Sequence, residues 1–334
     1  MINKKLNIIA VILLLLSASI TPAQDETVKV ETDLVTLPVF VSDKDGRFVS
    51  GLKASDFEIL ENGKPQETAF FETAEVPVTV LLLIDVSGSM NDHLSTLASA
   101  ANKFVQSLAP EDQIIVATFR DKAHLDILCP PTKKHSFTQT IFFKKTNDDW
   151  LTMTFNAVDK SIDYMARLPG RKAIVMFSDG ELYGKGVSAK SNLNKAEESD
   201  AVIYTVRFGE YPKAQRWYTK PSVEDIDRYG NSLGLPPNEL KKVIAEVKSY
   251  MNGLADKTGG GAVEISEVSL LVPAFQQISL DLKRMYRLGY YPQVPPKSGE
   301  RRKIRLLMKA PGTSVRARKE VVFGTPLKIQ KPNQ

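Results

Sequence analysis

Asp85, Ser87 and Ser89 alternate along the segment Asp85-Val86-Ser87-Gly88-Ser89. Side chains at i, i+2 and i+4 of an extended chain point the same way, so one carboxylate and two hydroxyls can converge on one point. Such a set of oxygens suits a hard divalent cation, Mg2+ first and Mn2+ or Ca2+ as alternatives. Gly88 supplies the bend that follows. A second carboxylate, Asp179, closes the apolar run Lys172-Ala-Ile-Val-Met-Phe-Ser178 and precedes Gly180. Two aspartates at the same edge of a sheet repel unless a cation lies between them.

Competing chemistries lack their parts. Ser87-Gly88-Ser89 is not the Gly-x-Ser-x-Gly elbow, and only His93, His124 and His135 offer imidazole bases. His93, in the first turn after Ser89, is the one placed for a Ser–His pair. Gly180-Glu-Leu-Tyr-Gly-Lys185 has three residues between its glycines where a phosphate loop needs four, and Gly186 stands where Ser or Thr is required. No Gly-x-Gly-x-x-Gly follows a strand, and no Cys/His cluster is spaced for zinc. The reading is therefore of a binding protein with no catalytic residues. A metal-assisted hydrolase at the same sheet edge, with His93 or Glu181 as the acid or base, is the alternative from another class. A scaffold that does not need the cation is a third.

The elements around these residues must bring the two aspartates to one edge. Val78 to Ile84 is apolar and β-branched, the pattern of a strand buried on both faces of a parallel sheet. Ile114 to Phe119, Lys172 to Ser178 and Ala201 to Phe208 read the same way. Helical periodicity over 91–108, 153–168, 189–199, 238–257 and 270–285 alternates with them. Strand–helix alternation predicts an α/β fold with a doubly wound, mostly parallel, Rossmann-like sheet, whose ligand site lies at the carboxyl ends of the strands. Ala123 to Leu128 reads as an antiparallel edge strand. The segments 130–150 and 209–237 read as loops, the latter polar and aromatic. The flanks, 24–74 and 286–324, are β in character. They include hairpin-like turns at Asp43-Lys-Asp-Gly46 and Glu61-Asn-Gly63, and Pro38 suggests an edge strand or bulge. Neither flank has enough strands to stand alone, which predicts one small discontinuous β-sandwich-like domain built from both.

Taken together, the strand 78–84, Asp85-x-Ser87-x-Ser89 and the following helix resemble the von Willebrand factor A (VWA) family and its metal-ion-dependent adhesion site. The resemblance implies a threonine from a second loop and an aspartate from a third. The family's Gly-x-Thr-Ala-Leu-Tyr-Asp-Ala lines up with Leu151-Thr-Met-Thr-Phe-Asn-Ala-Val158, which puts Thr152 in the ligand position and Asn156 where Asp is usual. Asp149-Trp150-Leu151 replaces the glycines, so Thr154 and Thr146 stay open as alternatives. The implied metal ligands are Asp85, Ser87, Ser89, Thr152 and Asp179. A partner protein would supply an Asp or Glu carboxylate. Val41 to Leu52, Asp56-Phe57, Asn62 to Lys64 and Leu288-Gly-Tyr-Tyr-Pro292 are similar to the VWA-related exported proteins of Acidobacteria, in which such flanks bracket the VWA unit.

Length and composition bound the rest. The 334 residues are 43% hydrophobic and 25% charged, as in a globular protein. Lys4 and Lys5, the apolar run Leu6 to Leu16 and Thr21-Pro22-Ala23 read as a secretory signal over 1–23. Its removal lowers the net charge from +5 to +3, too weak and too interspersed to argue for nucleic acid. No later apolar run is long enough to span a bilayer, so the expectation is an exported protein, periplasmic or extracellular. Cys129 is the only cysteine, which excludes an internal disulfide. The expected organisation is signal 1–23, flank 24–74, VWA unit 75–285, flank 286–324 and tail 325–334.

Overall fold

The computed structural model describes residues 34–45, 47–73, 76–145, 152–180, 182, 184–209 and 237–323. The leader, Thr146, the Asp149 to Leu151 segment, Glu181, the segment 210–236 and the tail from 324 lie outside the described residues.

Strand β5 (Val78–Asp85) is buried along its whole length. Its alternation serves two cores at once. Val80, Leu82 and Ile84 belong to a core with helices α1 (Leu94–Ser107) and α5 (Leu271–Lys283), through Leu97, Phe104, Phe275 and Ile278. Leu81 and Leu83 belong to the opposite core, with α2 (Thr154–Ala166), α3 (Ala189–Glu198) and α4 (Pro237–Thr258), through Ile162, Ala196 and Leu254. A strand covered on both faces has no polar face to spare, and this one has none.

Around it lie β6 (Gln113–Phe119) and β8 (Arg171–Ser178), both parallel to β5. Beyond β8 come β9 (Val202–Phe208) and β10 (Ala262–Ile265), also parallel. The order is β10-β9-β8-β5-β6-β7, a mostly parallel α/β sheet. Its antiparallel edge, β7 (Asp126–Lys133), runs further than the sequence suggests. Residues 130–133 were expected in a loop, and Pro130 and Pro131 cannot donate to a ladder. They are tolerated because β7 has a neighbour on one side only, and the pairing is irregular there.

The flanks form two further sheets. One has the order β13-β1-β11-β4, from Ser314–Ala317, Val35–Ser42, Tyr286–Tyr290 and Phe70–Glu72. The other has the order β14-β12-β2-β3, from Glu320–Val322, Arg301–Met308, Phe57–Glu61 and Lys64–Gln66. Each sheet takes strands from both ends of the chain, and Leu37, Val39, Ile59, Leu288 and Ile304 share one core. Glu61 of β2 ties the sheets together: it accepts from Arg302 Nη1 at 2.7 Å and from the Tyr290 hydroxyl of the other sheet at 2.7 Å. The β2–β3 hairpin turns through Asn62 (φ 48°) and Gly63 (φ 81°), the left-handed pair that a tight hairpin requires.

Two expectations need correction here. Pro38 lies in β1, an interior strand. It is accommodated because pairing with β11 covers residues 35–39 while pairing with β13 begins only at Val39. The run Val315 to Phe323 reads in the sequence as one final strand, but the structure makes it two, in different sheets. The chain breaks where Arg318 turns inward and donates to Ser199 O at 2.8 Å.

Arg171 fastens the crossing between the sheets. It is buried, and its guanidinium donates to Val76 O at 2.7 Å, just before β5, and to Leu282 O and Met285 O at 3.1 and 3.3 Å, just before β11. We propose that the flanks fold as one discontinuous unit. Removing residues 286–334 should expose 35–72 to protease and hydrogen exchange, whereas continued protection there would mean two independent modules.

Candidate metal centre

The carboxyl ends of β5, β6 and β8 meet at one edge, with Asp85 opposite Phe119 in register and Ser178 closing the next strand. Asp85 is fully buried. Its Oδ1 accepts the Ser87 amide at 3.0 Å, and its Oδ2 accepts the Ser178 hydroxyl at 2.7 Å. Burial, and then the charge of Asp179, push the Asp85 carboxyl up to about 8, against hydrogen bonds from Ser87 and Ser178 that pull it down.

Ser87 is buried and Ser89 exposed, with their hydroxyl oxygens 3.1 Å apart. A one-turn helix, Gly88–Met90, starts after Ser87, yet the Ser87 side chain makes no capping bond. The hydroxyl therefore faces its neighbour across the turn and leaves the helix end to the backbone.

Asp179 follows β8, half-buried, close enough for its charge to raise the Asp85 carboxyl. Gly180 then takes φ 102°, and a Cβ there would lie 2.6 Å from Val247 Cγ1. Only glycine lets the chain leave Asp179 by this route. Thr152 is buried, just before α2. The next residue, Met153, donates its amide to Arg120 O at 2.7 Å, which pins this segment to the end of β6, the strand beside Asp85. The N-cap of α2 is Met153, so Thr152 is not spent as a cap. Thr154 is the first residue of α2, with its hydroxyl 3.5 Å from Thr152 O.

Ser178 escaped the sequence reading. It is the hinge of the arrangement: its oxygen bonds Asp85 and also accepts the Gly180 amide at 3.0 Å, knitting two strand ends together. A hydroxyl residue closing an otherwise apolar strand was the available signal. Among the described residues no three of His, Cys, Asp and Glu gather into a metal cluster. The donors at this edge are two carboxylates and a set of hydroxyls. All are oxygen, and a buried carboxylate beside a second one calls for positive charge. That set fits a hard divalent cation.

Residues 80–181 match the family model for the von Willebrand factor type A domain. The match runs from inside β5 to just past Gly180, so it spans Asp85, Ser87, Ser89, Thr152 and Asp179. No curated protein matches the chain. Among solved structures, the chain is similar to the ArnB paralog VWA2 of Sulfolobus acidocaldarius, with 14% identity over 87% of this chain and 76% of that one, at a TM-score of 0.42. It is similar to the conserved hypothetical protein BatB of Bacteroides thetaiotaomicron, with 20% identity over 62% and 99%, at 0.39. It is also similar to proximal thread matrix protein 1 of the mussel byssus, solved with a zinc-occupied MIDAS motif, with 12% identity over 66% and 49%, at 0.41.

Asn156, where the VWA pattern has Asp, has a job of its own. Its amide nitrogen donates to Lys185 O at 3.1 Å and its oxygen accepts the Lys185 amide at 2.8 Å, holding the segment after Asp179 against α2. Restoring the aspartate would lose the donor and set a carboxylate against a carbonyl. Asn156→Asp should therefore cost about 1–3 kcal/mol in urea denaturation. An unchanged midpoint would mean that the clamp is dispensable.

Proposed function

We propose that this chain is an exported protein that binds another protein through a divalent cation and catalyses nothing. Domains of the matched type commonly mediate protein–protein interaction. Mg2+, or Mn2+ or Ca2+, would be held by Asp85, Ser87, Ser89, Thr152 and Asp179. A cation bound there would supply a coordination position open to an outside Asp or Glu carboxylate. The observation that carries this reading is the pair of serine hydroxyls 3.1 Å apart beside buried Asp85, with no capping bond from the Ser87 side chain.

The chain's own residues prepare the edge. Ser178 and the Ser87 amide fix the Asp85 carboxylate in place. Three of the five donors are neutral hydroxyls, so little surplus negative charge repels an incoming carboxylate. The rim also offers contact surface. The strap 137–145 is held on α1 by Asn102, which bonds Ile141 N and O at 3.0 and 2.9 Å. It leaves Phe142 exposed and brings Lys145 within 3.7 Å of Asp92, just past the serine turn. We assign partner choice to this strap and to the segment 209–237. No described helix is long and apolar enough to cross a membrane. Export rests on the leader read at 1–23.

Thr152→Asp tests the mechanism. An added carboxylate should tighten Mg2+ binding in calorimetry. It should also reduce the envelope protein retained by the immobilised chain in Mg2+ relative to EDTA. Tighter Mg2+ binding with equal or greater retention would overturn carboxylate capture.

A further inference from the structure

The parallel sheet has a second end. Helix α3 leaves the edge where Asp179 sits and closes at Glu198, so Glu197 marks the pole opposite the candidate metal centre. There a cleft of about 1040 Å3 opens between the end of α3, the end of α4 and the point where β12 and β13 part into different sheets.

One wall is an open strand edge. β14 pairs with β12 only over Arg301 to Lys303. Ile304 still donates its amide outward, to Lys319 O at 2.7 Å. In an antiparallel ladder the backbone groups alternate between the two sides, so Leu306 and Met308 face the same way as Ile304. No strand among the described residues pairs with them on that side. The facing strand, β13, also ends its sheet. Leu60, Leu306, Val315 and Ala317 give the cleft an apolar lining.

The charge around this edge is unbalanced. Lys257 pairs with Glu197 at 3.0 Å, and Arg301 bonds both Glu197 and Glu320. Those carboxylates are thus neutralised. Lys303, Arg305 and Lys319 also line the cleft, are exposed, and form no ion pair among the described residues. Beneath them Arg318 is buried, and its Nε has no hydrogen-bond partner. Against this stands one further carboxylate, Asp256.

We propose that this cleft is a second binding site, independent of the cation, which takes an extended acidic peptide segment as an added strand along the outer edge of β12. Backbone bonds to Leu306 and Met308 supply the pairing. Acidic side chains meet Lys303, Arg305 and Lys319, and the alternate apolar side chains, on the opposite face, meet Leu306 and Val315. The chain would then hold one partner at each end of its sheet.

The test uses the full chain and a fluorescent alternating Glu-Val peptide of about eight residues, within the usual range of strand lengths. Binding should appear in anisotropy with Mg2+ or with EDTA alike. It should weaken about tenfold or more in Arg305→Glu/Lys319→Glu, whose Mg2+ binding stays at the parent's level. Methylating alternate backbone nitrogens of the peptide should abolish binding, because it removes the ladder donors and leaves the charges. No binding by the parent chain, binding unaffected by the charge reversal, or equal binding of the methylated peptide would each overturn the proposal. Displacement of the peptide by equimolar tripolyphosphate would also overturn it, reducing the cleft to an anion patch.

Discussion

A carboxylate buried at the end of a strand that is itself covered on both faces is the constraint on which this molecule turns. Removing an ionised group from water is costly unless hydrogen bonds or opposite charge compensate. Asp85 has the Ser87 amide and the Ser178 hydroxyl, yet burial and Asp179 still push its carboxyl up to about 8. Much of the surrounding architecture can be understood as holding that group in place. The two cores on β5 fix the strand, the Met153–Arg120 bond ties the segment before α2 to the end of β6, and Gly180 lets Asp179 follow without a side chain in the way of Val247.

The sheets of the flanks depend on a different buried group. Arg171 belongs to the central sheet but bonds the carbonyls just before β5 and just before β11, the two places where the chain passes between the β flanks and the α/β unit. One side chain thus ties both crossings to the central sheet. On the far side, Arg318 bonds the end of α3 from the break between β13 and β14. Arg318 and Lys319, at that break, line the basic cleft.

The central sheet was legible because its strands carry a local signature, runs apolar at every position, that a half-exposed strand would not show. Asp85 and Ser87 lie in the extended chain that their spacing implies, whereas Ser89 sits in the one-turn helix Gly88–Met90 and meets Ser87 through its hydroxyl at 3.1 Å. Ser178 was not legible, because its partner lies on the neighbouring strand and only register brings the two within 2.7 Å. Asn156 looked like a defect in a pattern until its two bonds to Lys185 were seen. Residues 130–133 read as part of a loop, and only an edge position makes Pro130 and Pro131 compatible with a strand. In each case the missing information was non-local.

Calorimetric titration of Mg2+ into the parent chain and into Asp85→Ala, with circular dichroism on both, tests the central claim most directly. The account predicts saturable binding to the parent and none to the variant, with native spectra for both. Equal Mg2+ binding by a natively folded Asp85→Ala protein would contradict it.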